Sequence, residues 1–188
     1  MKELKERIIK EGRVIEPDIL KVDSFVNHQI DVNLMDQIAA FFKPHFIGVN
    51  KIVTIEASGI AVACSVARVY NNAPVVFAKK AKSKVNVDNI YSTDIFSFTK
   101  KVTSNCFIDK SYLHRGDKIL IIDDFLAEGN AALGLIDLCR QAGAEVVGVG
   151  VVVEKGFQNG RARIENTGVK VVSAASIKEF KNGKVILN

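Results

Sequence analysis

The chain has 188 residues, and its hydrophobic content of 48% and charged content of 25% are typical of one globular domain with a sizeable core. No segment approaches the roughly 18 consecutive apolar residues of a membrane helix, and the N-terminal residues contain no apolar signal core. The three cysteines are scattered along the chain. We therefore expect a cytoplasmic protein without a disulfide framework or zinc site. The net charge of +5 suits a polyanionic small substrate, and because no dense basic run is interleaved with aromatic residues, nucleic acid is the weaker interpretation.

Helical and strand-like patterns alternate through the first part of the chain. Residues 2–11 predict a charged amphipathic helix, and residues 20–24 alternate like a short strand. Residues 25–29 are irregular and polar, which on local sequence alone favours a connecting loop. Residues 31–47 return to helical spacing, with Asp31 as the predicted N-cap. This alternation is typical of an α/β protein.

A strand followed by a small-residue turn and a helix comes next. The strand Lys51–Ile55 leads through Glu56, Ala57, Ser58 and Gly59 into a helix rich in alanine and valine. The free N–H groups and the dipole of a helix N-terminus bind anions. The turn at residues 56–59 is therefore a candidate anion site, although one such turn alone is weak evidence.

The third predicted strand, Pro74–Ala78, is followed by lysines. Lys79 and Lys80 come first, with Lys82 and Lys84 close behind. A lysine cluster at the carboxyl end of a strand, beside an anion-binding turn, would neutralise a pyrophosphate. We expect this role of Lys79 and Lys80, whereas a solvated charge run is the alternative.

The segment 83–105 differs from its surroundings. It begins with polar, turn-prone residues and continues with the alternating run 95–99, which predicts a mobile β-hairpin or arm on the sheet. Residues 106–108 predict a further strand, and His114 is interpreted as a surface turn residue.

The central motif is a buried strand followed by an acidic pair. Residues 119–122 are four consecutive aliphatic residues, which indicate a strand covered on both faces. Asp123 and Asp124 follow at its carboxyl end, where open α/β sheets hold their ligands. A turn with Gly129 then leads into a helix that begins near residue 130, so the site offers carboxylates for a diol and free N–H groups for a phosphate. A ligand with one phosphate beside one diol, such as a phosphorylated sugar, would fit both groups. A lone acidic pair could also be a helix cap or part of a solvated loop.

The last part of the chain predicts another strand, and the residues that follow this strand could contact a ligand. Residues 145–153 form the strand, and residues 154–157 contribute a lysine and an aromatic residue at its end. That pair suits a flat, oxygen-bearing base, and a charged strand terminus with a packed phenylalanine is the alternative. Residues 160–167 predict a helix, and residues 169–174 and 185–187 predict edge strands.

The stretch from Ile119 to Ala132 resembles the phosphoribosyl pyrophosphate signature of the type I phosphoribosyltransferases. The resemblance implies a doubly wound, mostly parallel sheet flanked by helices, with a small hood and a flexible β-arm. It also implies that Asp123 and Asp124 bind the ribose hydroxyls. The loop that would wrap the 5′-phosphate consists of Ala127, Glu128, Gly129, Asn130 and Ala131. Glu128 departs from the family, which commonly has Thr or Asn there, and its charge would repel a phosphate unless it points outward.

The resemblance covers nearly the whole chain and assigns roles outside the central motif. It implies that Glu56 to Gly59 form the pyrophosphate loop, where family members often hold a non-proline cis peptide. It implies a single domain, residues 1–188, in which residues 1–30 and roughly 155–188 build the base-binding hood. Residues 83–105 would be the flexible loop that closes over the substrates and keeps water from an oxocarbenium-like transition state.

Three stretches resemble the xanthine phosphoribosyltransferases in particular: residues 20–31, residues 119–132 and residues 154–157. In that family Leu20, Asn27 and Lys155 would contact the purine, and we add Phe157 on chemical grounds. The implied enzyme is a glycosyltransferase (a pentosyltransferase) that converts xanthine and phosphoribosyl pyrophosphate to xanthosine monophosphate and pyrophosphate. Mg²⁺ would be bound mainly through the substrate, with no dedicated protein metal site, and relatives are homodimers.

Two alternatives remain open on the sequence. The base could be guanine, hypoxanthine or adenine. The fold also serves as the effector-sensing domain of purine operon repressors, which add an N-terminal DNA-binding domain. The residues before Leu20 are too few for a helix-turn-helix module, so we expect an enzyme.

Overall fold

A computed structural model describes residues 1–15, 18–80, 89–97 and 102–188. Predicted residues Lys82 and Lys84, and positions 83–88 and 98–101 of the predicted arm, lie outside the described residues. The helices are α1 Lys2–Glu11, α2 Val32–Phe42, α3 Gly59–Val69, α4 Asn130–Gln141 and α5 Gly160–Glu165. The strands are β1 Arg13–Ile15, β2 Ile19–Lys21, β3 Lys51–Ile55, β4 Val75–Lys80, β5 Ile90–Ser97, β6 Val102–Asp109, β7 Lys118–Leu126, β8 Glu145–Lys155, β9 Val171–Lys181 and β10 Lys184–Leu187.

An eight-stranded sheet forms the centre of the molecule, in the order β10-β9-β8-β7-β3-β4-β6-β5. The five strands from β9 to β4 pair in parallel, while β10 and the hairpin β5–β6 pair antiparallel at the two sides. β1 and β2 form a separate two-stranded antiparallel sheet. The predicted α/β architecture with a mostly parallel sheet is confirmed.

Helices cover both faces of the sheet. The side chains of β7 point alternately to the two faces and so contribute to two apolar clusters. Leu120 and Ile122 pack with residues of α1, α2 and α3, whereas Ile119 and Ile121 pack with residues of α4 and α5. β7 is therefore the central strand, and both of its faces are buried. No helix within the described ranges is both long enough and apolar enough to span a bilayer.

Several predicted boundaries agree with the structure. The first helix has the predicted range, and Asp31 caps α2 by accepting a hydrogen bond from the N–H of Leu34 at 3.1 Å. β5 and β6 form the predicted hairpin, but residues 106–108, which were predicted as a further strand, belong to its second strand. The helix after the central motif begins at Asn130, as predicted.

Other expectations are wrong, and tertiary packing explains them. β2 spans only residues 19–21, and the segment interpreted as a loop contains a π-helical turn, Asp23–Asn27, whose Phe25 and Val26 are fully buried. β9 is an interior strand between β8 and β10, so its interpretation as an edge strand is also wrong. The acidic pair lies within β7, which continues to Leu126 because it pairs with β8 beyond Asp124.

Candidate active site

The acidic pair lies near the carboxyl end of the central strand and is almost completely buried. Asp123 is 7% exposed and Asp124 is 8% exposed. Asp123 Oδ1 accepts a hydrogen bond from the Asp124 N–H at 3.0 Å. Burial and the negative charge of Asp124 raise the pKa of Asp123 well above its usual range, although Lys80 opposes the shift. The side chain is therefore poised to gain from a hydroxyl donor or a cation.

Asp123 also lies close to the beginning of α3. A Cβ atom on Gly59 would be 3.2 Å from Asp123 Oδ1 and 2.3 Å from Thr54 Oγ1. Only glycine permits this approach, which joins the turn at residues 56–59 to the acidic pair. Thr54 Oγ1 is buried and has no hydrogen-bond partner among the described residues.

The turn after β3 is tied to the end of β4. Glu56 Oε1 accepts a hydrogen bond from the backbone N–H of Lys80 at 2.6 Å, and the Glu56–Ala57 peptide bond is cis. Ala57, Ser58, Lys79 and Lys80 are exposed at the same edge of the sheet. The predicted pyrophosphate loop and the predicted lysines are therefore neighbours, because β3 and β4 are parallel and end together.

A cavity of about 210 Å³ opens beside Asp123. Its walls come from the hairpin, from the ends of the parallel strands and from the loop after β7. The lining residues are Ile55, Lys80, Ile95, Phe96, Ser104, Cys106, Asp123, Phe125, Leu126, Ala127, Glu128, Gly129, Asn130, Ala131, Ala132 and Val151. The structure thus brings Asp123, Lys80 and the whole predicted phosphate loop to one cavity.

The loop after β7 ends in the N-terminus of α4. Gly129 precedes the helix with a φ of +80°, which favours glycine, and a Cβ there would be 3.1 Å from Cα and O of Gly160. The first turn of a 12-residue helix offers free N–H groups at this place. The arrangement suits a dianionic phosphate.

Helix α5 contacts the same loop, and the sequence patterns gave no sign of this. The Gly160 N–H donates to Ala127 O at 3.1 Å, and Arg163 Nη1 donates to Glu128 O and to Asn130 Oδ1, the latter at 2.8 Å. Asn130 Nδ2 in turn donates to Phe96 O of the hairpin at 3.0 Å. No local motif could reveal Arg163, because 33 residues separate it from Asn130.

The predicted base-binding residues lie in different settings. Leu20 is 5% exposed, and its side chain belongs to the apolar core. Asn27 is exposed at the end of the π-helical turn. Phe157 is 43% exposed and packs edge-to-face on Phe180, with ring centroids 5.5 Å apart. Unlike Asp123, none of these residues lines the cavity described above.

Lys155, the fourth of these residues, is mostly buried at the end of β8. Its side chain is 13% exposed, and its Nζ lies 3.9 Å from Asp18 Oδ2. Burial lowers the pKa of Lys155, whereas Asp18 acts in the opposite direction. Asp18, which sequence reasoning did not single out, joins the segment before Leu20 to Lys155.

Two carboxylates that could serve a metal ion are those of the acidic pair. Across residues 1–15, 18–80, 89–97 and 102–188, no group of three or more His, Cys, Asp and Glu side chains converges on one point. Carboxylate oxygens are the hard ligands that Mg²⁺ prefers. Asp123 and Asp124 are therefore compatible with Mg²⁺ that brings most of its ligands with it.

Comparisons with known proteins agree on one family. The phosphoribosyl transferase domain model matches residues 27–183. The xanthine phosphoribosyltransferase of Clostridium novyi is 55% identical over 188 residues, covering 99% of this chain and 98% of the relative. The xanthine phosphoribosyltransferases of Streptococcus uberis and Clostridioides difficile are each 52% identical over 98% of this chain and cover 96% and 98% of their own lengths.

Solved structures of low sequence identity share the fold. The chain resembles the APRTase from Giardia lamblia complexed with 9-deazaadenine, with a TM-score of 0.78, 18% identity, and coverage of 92% and 97% of the two chains. It also resembles the adenine phosphoribosyltransferase from Rhodothermus marinus, with a TM-score of 0.74, 22% identity, and coverage of 93% and 99%. At these identities the likeness concerns the fold alone.

Proposed function

Since the chain belongs to the phosphoribosyltransferase family, we propose that it transfers the 5-phosphoribosyl group from phosphoribosyl pyrophosphate to xanthine. The products are xanthosine 5′-monophosphate and pyrophosphate. The observation that carries the reaction type is the cavity shared by Asp123, Lys80 and the loop after β7. The choice of xanthine is supported by full-length relatives of 52–55% identity that are named xanthine phosphoribosyltransferases.

The acidic pair binds the ribose hydroxyls in this proposal. Asp123 lines the cavity, whereas Asp124, the next residue of β7, does not. We therefore assign the contact inside the cavity to Asp123 and a contact from the other face of the strand end to Asp124. Buried carboxylates gain from hydroxyl donors because they are held away from water. The residues of the loop that receives the 5′-phosphate are Ala127, Glu128, Gly129, Asn130 and Ala131.

The leaving pyrophosphate is assigned to the neighbouring turn. Residues 56–59 supply backbone groups at the start of α3, and Lys79 and Lys80 supply positive charge. The hydrogen bond between the Lys80 N–H and Glu56 Oε1 supports a joint role of the two segments. Stabilising the negative charge that develops on the leaving group lowers the barrier.

The purine is assigned to the region around the end of β8. Lys155 is a buried ammonium group near Asp18 and suits a carbonyl oxygen of xanthine, and Phe157 presents an aromatic ring. Asn27 contributes an exposed amide. Because the side chain of Leu20 packs in the core, we assign its contact with the base to its backbone. Residues 1–30 and roughly 155–188 together form the proposed hood.

The reaction needs no nucleophilic side chain. A nitrogen of xanthine forms a bond to C1 of the ribose and loses its proton, while the C1–O bond breaks and its electron pair leaves with pyrophosphate. The protein acts by positioning the two substrates and stabilising charge. Mg²⁺ bound mainly through phosphoribosyl pyrophosphate would neutralise charge on the pyrophosphate. Residues of the hairpin beside the cavity, such as Ile95 and Phe96, are suited to keep water from the ribosyl cation.

The proposal also includes the compartment and the oligomeric state of the enzyme. Cys64, Cys106 and Cys139 are all free thiols, which supports a reducing compartment such as the cytoplasm. We also propose a homodimer. Sedimentation of the purified protein tests that assembly independently of activity.

A pyrophosphate-release assay tests the function. Purified protein, Mg²⁺ and phosphoribosyl pyrophosphate are combined with xanthine, guanine, hypoxanthine or adenine in turn. We expect turnover with a preference for xanthine. Preference for another purine would reject the base assignment and the roles of Asn27, Lys155 and Phe157, whereas binding of phosphoribosyl pyrophosphate without turnover on any base would reject the enzymatic proposal.

A further inference from the structure

Helix α5 holds the loop assigned to the 5′-phosphate. The Gly160 N–H donates to Ala127 O, and a Cβ on Gly160 would lie 2.2 Å from that oxygen. Arg163 Nη1 donates to Glu128 O and to Asn130 Oδ1. We propose that Arg163 is a positioning residue for phosphoribosyl pyrophosphate binding, which it supports by fixing the loop between Ala127 and Asn130. This inference rests on the proposed function.

The geometry of a peptide bond explains how a contact behind the loop acts in front of it. In a trans peptide group the C=O and the following N–H point in opposite directions. Because Arg163 holds Glu128 O, the N–H of Gly129 is directed away from Arg163. An N–H that is already oriented costs no rearrangement when it meets a phosphate, so the guanidinium preorganises a donor without touching the substrate.

The second acceptor of Arg163 connects the loop with the hairpin. Arg163 Nη1 lies 2.8 Å from Asn130 Oδ1, which leaves the amide nitrogen of Asn130 facing Phe96 O at 3.0 Å. The side chain of Asn130 is thereby fixed in one orientation. A single guanidinium thus orders both the backbone of Glu128 and the side chain at the first position of α4.

Arg163 also places a positive charge beside the acidic residue of the loop. Glu128 lines the cavity, and its carboxylate would weaken the binding of a phosphate. The guanidinium of Arg163 places a positive charge on the backbone of that same residue. This positive charge is opposite in sign to the carboxylate of Glu128, so it opposes the repulsion of a phosphate by that carboxylate.

The anchor of α5 lies on its other side. Arg161 donates from Nε to Glu154 Oε1 at 2.7 Å and from Nη2 to Glu154 Oε2 at 2.6 Å, and Ser173 Oγ donates to Oε2 at 2.6 Å. Glu154 is 4% exposed. This bidentate pair fixes α5 to β8, so Arg163 reaches the loop from a rigid base.

Three variants test the inference: Arg163→Ala, Arg163→Lys and Arg140→Ala. Calorimetric titration with phosphoribosyl pyrophosphate and Mg²⁺ gives the Kd of each variant, and the pyrophosphate-release assay gives the KM. Arg140 is the matched control, because it donates to Thr167 O at 2.8 Å and lies away from the loop. We expect Arg163→Ala to raise the Kd and the KM of phosphoribosyl pyrophosphate about tenfold, as for loss of a charged hydrogen bond. The KM of xanthine should stay constant, Arg163→Lys should recover part of the loss, and Arg140→Ala should match the wild type.

The outcomes separate the inference from the function. An Arg163→Ala protein that binds phosphoribosyl pyrophosphate as tightly as the wild type would overturn the inference alone. Equal losses in Arg163→Ala and Arg163→Lys, with a lowered melting temperature in both, would indicate a merely structural role and also overturn it. A wild-type protein that binds phosphoribosyl pyrophosphate but turns over no purine would overturn the proposed function, while the Kd values still decide the role of Arg163.

Discussion

Asp123, to which we assign a contact with the ribose, carries a cost in stability. Burial and the charge of Asp124 raise its pKa, so the ionised form is less favourable in the folded protein than in the unfolded chain. A carboxyl group with a raised folded-state pKa destabilises the fold above that pKa. The cost disappears as the pH falls through it towards the ordinary value of about 3.9.

We therefore predict that Asp123→Asn raises the melting temperature at neutral pH and lowers kcat/KM. The amide removes the buried charge, and each kcal/mol gained would raise Tm by about 2–4 °C. Loss of a charged partner for the ribose should lower kcat/KM roughly 10- to 100-fold. Thermal scans of both proteins at several pH values check this, because the difference in Tm should shrink on acidification.

Asp117→Asn is the contrasting variant. Asp117 pairs with Lys51 at 2.6 Å and also accepts a hydrogen bond from the His114 N–H at 2.8 Å. Its carboxylate is thus stabilised in the fold, and its removal should lower Tm at neutral pH while leaving substrate affinity constant. A similar loss of Tm in Asp123→Asn would contradict the interpretation of Asp123.

The close contact between Gly129 and Gly160 gives a second prediction at the residue scale. Gly129→Ala adds a Cβ 3.1 Å from the backbone of Gly160, at a φ of +80°. The positive φ alone costs about 1–2 kcal/mol, and the contact displaces the loop further. We expect a loss of stability together with a clear loss of phosphoribosyl pyrophosphate affinity, measured by chemical denaturation and calorimetry.

Gly168→Ala isolates the backbone contribution. Gly168 has a φ of +84°, and a Cβ there would meet nothing within 4 Å. This variant should lose only the cost of the positive φ and keep its affinity for substrate. Equal effects of the two variants on affinity and stability would refute the importance of the Gly129–Gly160 contact.

At the scale of elements, the short helix α5 is anchored by the ion pair between Arg161, which is 35% exposed, and the buried carboxylate of Glu154. Burial raises the pKa of Glu154, but hydrogen bonds from Arg161 and Ser173 outweigh it, so the pKa is lowered overall. The stability that this pair contributes is present at neutral pH and is lost as the pH falls through the lowered pKa. This charge pair therefore acts together with the buried side chain of Ile164 and the backbone contact of Gly160 in holding α5.

We predict that Arg161→Ala lowers the free energy of unfolding by about 3 kcal/mol, because it leaves the Glu154 carboxylate buried without its partner. It should also weaken phosphoribosyl pyrophosphate binding, since α5 carries Arg163. The deficit in stability should decrease as the pH falls below the ordinary Glu value of about 4.3 and through the lowered pKa of Glu154. Denaturation with urea across this pH range measures the loss of stability and its pH dependence, and calorimetric titration measures the loss of binding.

Glu165→Gln is the matched control for that experiment. Glu165 pairs with Arg161 at 3.1 Å but is 47% exposed. An exposed pair four residues apart on a helix contributes about 0.3–0.5 kcal/mol, so this variant should be nearly neutral. A large effect of Glu165→Gln would show that the exposed pair, and not Glu154, anchors α5.

The elements also show how far the sequence could predict the site. The aliphatic run before Asp123, the glycine turn and the helix after it are local patterns, and they predicted the strand, turn and helix of the central motif. The continuation of β7 past Asp124 depends on pairing with β8, and the interior position of β9 depends on β10. Arg163 belongs to the same class, because only the packing of α5 brings it to the loop.

At the scale of the whole molecule, the parallel sheet gathers distant segments at one edge. β3, β4, β7 and β8 run in the same direction, so their carboxyl ends present the turn at 56–59, the lysines, the acidic pair and Lys155 side by side. A ligand that contacts several of these ends links elements that are far apart in the sequence. Its binding energy should therefore add to the stability of the entire fold.

We predict that phosphoribosyl pyrophosphate with Mg²⁺ raises the melting temperature of the protein. At a ligand concentration 100 times the Kd, the native state gains about 2.7 kcal/mol, which corresponds to roughly 5–10 °C for a domain of this size. Chelation of Mg²⁺ should abolish most of this gain if the cation accompanies the substrate. Differential scanning calorimetry with and without EDTA measures it, and an equal shift after chelation would contradict the role assigned to Mg²⁺.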